Sequence, residues 1–147
     1  FRSASHCLKL QKITLTVVKH YQLEFIKSQI LKLANKINAP DVYLPTFGSS
    51  EDFARPHIEK TGNTYHWVVV ERGQELERKS SDDINEILFH VFQAVTFEMA
   101  CKWEVQNRKE DEDSRIQLFQ KQEELLKLID EDYYLKTKKR HDKLLRR

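Results

Sequence analysis

The chain has 147 residues, 39% hydrophobic and 33% charged, with three Gly, three Pro and a formal net charge of +2. That length suits one domain spanning residues 1–147, which at this size buries roughly 68–70% of the surface its unfolded chain exposes and needs no disulfides. No run approaches the ~20 apolar residues of a membrane span, no secretory signal pattern opens the chain, and the apolar residues recur periodically, which argues against a disordered polymer. The net charge conceals segregation. Residues 1–40 sum to +6 and residues 136–147 to +6, leaving −10 for residues 41–135.

In chain order, the first residue is Phe1 and the only methionine is Met99, so residues 1–8 are expected to be a tag remnant, a truncation scar or disordered. Cys7 and Cys101 have no C-x-x-C partner, which predicts free thiols and a cytoplasmic setting. Ile13, Leu15 and Val17 alternate with polar residues, which fits a strand or the start of the next helix. From about His20, Leu23, Ile26, Ile30, Leu33 and Ile37 form a helical stripe that Pro40 ends. Residues 41–56 are expected to form an irregular loop, with Val42, Tyr43, Leu44 and Phe47 pinning part of it to the core.

A three-stranded meander follows, at residues 58–60, 65–71 and 74–78, turned at Gly62-Asn63 and Arg72-Gly73. Two-residue turns would pair Lys60 with Tyr65, Ile58 with Trp67, and Val69 with Leu76. One face then carries Ile58, Tyr65, Trp67, Val69 and Leu76, a core face. The other carries His57, Glu59, His66, Val68, Val70, Glu75 and Glu77. Ser80 or Ser81 with Asp82-Asp83 predicts a helix start, and Ile84, Ile87, Leu88, Val91, Phe92, Val95, Met99 and Trp103 give the strongest helical periodicity in the chain. The charged run at residues 108–113 breaks it before a helix from Ser114 to Ile129. Residues 136–147 are expected to be a peripheral, basic helical tail. The fold class is α+β: a small antiparallel meander of three strands, or four, packed on several helices.

No Gly-rich phosphate loop, nucleophile elbow or H-E-x-x-H motif occurs, so no enzyme, no cofactor and no metal site is predicted. Glu71, Glu75 and Glu77 at a hairpin end are expected to be solvated rather than an acid/base pair. His57 and His66 lie on adjacent strands, but Glu59 is the residue opposite His66, and no third metal ligand has a recognised spacing. The acidic middle points instead to recognition of a partner protein. Its predicted contacts are His66, Val68 and Val70, ringed by Glu59, Glu75 and Glu77, with Glu110 and Asp111 as a second acidic patch. The competing reading is a nucleic-acid-binding regulatory or adaptor domain using its basic C-terminal helix, against which the −10 middle would repel phosphate.

The segments LPTFG at 44–48, RPHIE at 55–59, YHWVVVERGQELER at 65–78 and DINEILFHVFQAVTFEMA at 83–100 are similar to the immunity protein 63 family of bacterial polymorphic-toxin and contact-dependent inhibition systems. The pattern R-x4-D-x-R-x3-F-x2-Q from Arg108 to Gln122 extends the resemblance, which covers about residues 23 to 130. It implies a cytoplasmic protein that binds and neutralises a cognate toxin domain, a basic nuclease being one such partner. Ile116 stands where the family pattern carries a second arginine, so no paired-arginine role is carried over. Arg72, Arg108, Asp113 and Arg115 fall on motif positions and are expected to form internal ion pairs that fix the hairpin end and the helix junction.

Overall fold

The computed structural model describes residues 23–146. The alternating stretch at Ile13–Val17, Cys7 and residues 1–8 lie outside them. The first described helix, α1 (residues 23–36), buries Ile26, Ile30 and Ala34 at four-residue spacing, with Leu23 and Leu33 half-buried beside them. It stops where Asn38 takes a left-handed φ of 52° and Pro40 removes the next donor. Ile37, Leu44, Ile58 and Trp67 join the same core.

The sheet has four strands in the order β1 (Thr46–Phe47), β2 (His57–Thr61), β3 (Thr64–Glu71) and β4 (Gln74–Ser81). The added strand comes from the predicted loop, and it runs parallel to β2 while the other pairs are antiparallel. The rest of that loop is ordered too. A 3-10 turn occupies Asp41–Tyr43, and Phe53 bridges Glu71, continuing the edge that β2 leaves open. The predicted pairs Ile58–Trp67, Glu59–His66 and Lys60–Tyr65 are present. Gly62 has φ 59° in the two-residue turn, as a II′ loop requires.

The predicted β3–β4 register is corrected beyond Val70. Val70 faces Glu75, but Val69 faces Glu77, so Leu76 is an inserted bulge residue and is 57% exposed rather than core. A one-residue insertion inverts the side-chain alternation that follows it. Glu77 and Lys79 therefore share the helix-side face with Val69 and Trp67, and Arg78 moves to the opposite face beside Val68.

Helix α2 (Ile84–Gln106) packs on β3 and β4, and α3 (Ser114–Ile129) and α4 (Glu131–Leu145) pack in turn on α2 and on each other. Asp83 caps α2 by accepting from Asn85 N–H, and Ile87, Leu88, Val91, Phe92 and Val95 fill its buried stripe. Each such fully buried side chain stabilises the fold by roughly 1.5–3 kcal/mol. Helix α3 packs on α2 and α4, buries Phe119, Leu125, Leu126 and Ile129, and is joined to α2 by one buried amide. Gln122 Nε2 donates to Gln93 O at 3.0 Å and Thr96 Oγ1 at 3.3 Å, while the Thr96 hydroxyl donates to Phe92 O. Asp130 ends α3 and caps α4, accepting from the N–H groups of Asp132 and Tyr133.

Helix α4 corrects the expectation of a peripheral tail. Thr137 and His141 are buried, the His141 ring stacks on Phe119 at 3.9 Å between centroids, and its Nδ1 lies 2.8 Å from Glu123 Oε1. Tyr133 Oη donates to Asn85 O at the start of α2. The basic side chains thus occupy the exposed and half-exposed positions of a packed helix. Among the described residues no helix is long and apolar enough to cross a membrane.

Cys101 is a free, half-buried thiol on α2. Burial, and then the carboxylates of Glu98 and Glu104, push its pKa above the usual thiol value. Only the thiolate reacts, so labelling by a disulfide reagent at pH 7.5 in a Cys7→Ser background should run roughly tenfold slower than in the urea-unfolded chain. Equal rates in the two states would contradict this placement.

Candidate partner-binding surfaces

The sheet face away from the helices holds the first predicted surface, and its acids are already engaged. His57 Nε2 lies 2.7 Å from Glu59 Oε1, while Arg78 binds Glu75 at 2.6 Å and Glu59 at 3.4 Å. The His57 hydrogen bond, followed by the Arg78 charge, holds the Glu59 carboxyl below its ordinary pKa, and Arg78 does the same for Glu75. The two carboxylates thus share one guanidinium, and Glu59 also meets the His57 ring. His66 is half-exposed and bonds Ser80 Oγ through Nδ1 at 2.7 Å. Val68 is only 1% exposed, so it is not the surface contact that the alternation predicted, and Val70 is half-buried. Glu77 is not on this face at all.

The second predicted patch, Glu110 and Asp111, is exposed in the α2–α3 connection, and no hydrogen bond or ion pair joins it to Glu59 or Glu75. The motif residues nearby divide by role. Arg108 makes a two-pronged bond to the buried Glu104, 2.9 Å on each prong, and lowers that carboxyl's pKa. Asp113 caps α3, and Arg115 folds back onto it at 2.8 Å. Arg108, Asp113 and Arg115 thus each take part in a local ion pair near the helix junction. Arg72 does not: it sits exposed in the β3–β4 turn at φ 53° and makes no ion pair among the described residues.

A third surface escaped the sequence. Because the bulge turns Glu77 and Lys79 toward the helices, a cleft of about 630 Å³ opens between β4 and the helices α2, α3 and α4. Trp67 and Phe119 lie at its apolar floor, and Phe97 and Leu144 line it while remaining 43% and 53% exposed. Lys79, Arg115 and Arg140 face one carboxylate, Glu77, which Lys79 binds at 3.5 Å. Arg115 is paired with Asp113, whereas Arg140 has no carboxylate partner among the described residues. Burial, and then Lys79, hold the His90 pKa in this cleft below its ordinary value. The available signals were Phe97 and Leu144, apolar residues standing off the buried stripes.

Residues 62–143, more than half of the chain, match the family described as immunity protein 63. The chain belongs to that family. No curated protein and no solved structure matches it. The matched segment begins in the β2–β3 turn and contains β3, β4, α2 and α3 whole, with α4 as far as Lys143. It therefore carries every residue lining the cleft except Leu144, whereas Glu59 and the rest of β2 precede it. Within the motif, Asp113 caps, Phe119 stacks on α4 and Gln122 reaches α2, so its spacing describes how three helices are joined.

Proposed function

We propose that this member of an immunity protein family binds a cognate toxin domain in the cytoplasm of the toxin-producing cell and blocks it as a stoichiometric complex, without turnover. The family match over residues 62–143 carries this reading. The charge pattern supports a basic toxin such as a nuclease, because the −10 of residues 41–135 accelerates encounter with a cationic domain. Co-expression with the toxin domain encoded beside the gene should restore growth, and the two chains should co-purify at one to one. A folded, soluble chain that neither protects nor co-purifies would refute the proposal.

A further inference from the structure

We infer that the cleft between β4 and the helices α2–α4 is the docking site, and that its occupant is a segment of the toxin presenting an apolar side chain beside a carboxylate. This rests on the immunity reading and goes beyond it by choosing the surface and the chemistry of the contact. The middle of the chain is acidic, yet the cleft inverts that sign: Lys79, Arg115 and Arg140 stand around the single carboxylate of Glu77. Two of those cations are partly neutralised by Glu77 and Asp113, and Arg140 remains available. Beside it, Phe97 and Leu144 leave apolar surface uncovered above the aromatic floor. An aromatic and an arginine at the mouth of a formed cavity are the residue types that carry most of an interface's binding energy. An apolar tip fills the floor and removes Phe97 and Leu144 from water, and the adjacent carboxylate satisfies Arg140. The two charge effects act at different ranges. The overall field steers a basic toxin toward the chain, and the cleft selects the part of it that docks.

Titration of the toxin domain into wild type and into the Phe97→Asp, Arg140→Glu double variant decides the matter. Both positions are exposed, so thermal unfolding of the variant should match wild type. Its dissociation constant should rise about 100-fold or more. The Glu59→Gln, Glu75→Gln variant on the opposite face should bind within about threefold of wild type. Equal binding by the cleft variant and wild type would overturn the cleft while leaving the immunity reading intact. A wild-type chain that does not bind the toxin removes both, as does binding of a single-stranded oligonucleotide instead. Hydrogen exchange on the wild-type complex reads the same surface without substitution. Protection of β4 and α4 is expected, and protection confined to β2 or residues 110–113 would overturn the inference.

Discussion

A chain ending at Leu135 is expected to lose about 3 kcal/mol of stability or more, and with it much of its cooperative unfolding transition. The cut removes Thr137 and His141, both buried, together with the ring that stacks on Phe119 and the imidazole beside Glu123. Phe119 and one face of α3 then meet water, and re-exposing one aromatic side chain alone costs roughly 1.5–3 kcal/mol. The half-helix left at 131–135 is too short to hold itself, so the anchorage of Tyr133 weakens as well. Removal of a solvated tail would instead change stability by no more than about 0.5 kcal/mol. Urea titrations followed by far-ultraviolet circular dichroism separate these outcomes. A truncated chain with the wild-type midpoint would restore the peripheral-tail reading.

Tyr133 is expected to make the fold sensitive to alkali. Its hydroxyl is 6% exposed as part of the residue, bonds Asn85 O, and has its pKa pushed up to about 12 by burial first and then by Asp130 and Asp83. In the unfolded chain the phenol releases its proton near pH 10. Between pH 10 and 12 the unfolded state therefore gives up a proton that the folded state keeps, and stability falls as pH rises. The contribution is fully present below pH 10 and falls by about 1.4 kcal/mol per pH unit, near 3 kcal/mol in all. Tyr133→Phe keeps the ring and removes the titration, so its urea midpoint should decline less steeply over that interval. Lysine deprotonation affects both chains alike and cancels in the comparison. Parallel slopes for the two proteins would show that the phenol is not held as the structure has it.

The β2–β3 hairpin was legible because Gly62 sets a two-residue turn and the turn sets the register. The same logic failed one strand later. Leu76 has the hydrophobicity of an inward residue, and nothing in the letters E-L-E-R-K marks it as inserted. That single residue misassigned Glu77, hid the approach of Arg78 to Glu59 and Glu75, and concealed the cleft. Residues such as Ile87, Val91 and Phe92 were legible because helical period alone places them inside. Helix α4 was misjudged for the converse reason. Beyond Tyr133 its buried residues are Thr137 and His141, polar residues, and His141 is held by Glu123 and Phe119, 18 and 22 positions away. Arg108 and Arg115 found carboxylates within a helical turn, a local geometry that spacing does convey, whereas Arg72 found none.

The amide of Gln122 has a consequence for how far this chain can vary. Sliding α3 along α2 by one turn, about 5.4 Å, would draw Phe119 and Glu123 away from His141 of α4. It would also carry Nε2 away from Gln93 O and Thr96 Oγ1 into a dry interface, at about 1–3 kcal/mol. Gln122 thus acts with Phe119 and Glu123 to favour a single alignment of the helices. Alignment fixed from within releases the outward positions of α2, α3 and α4 from any duty in specifying the fold. Exterior residues of these helices can then vary while the framework beneath them stays in place.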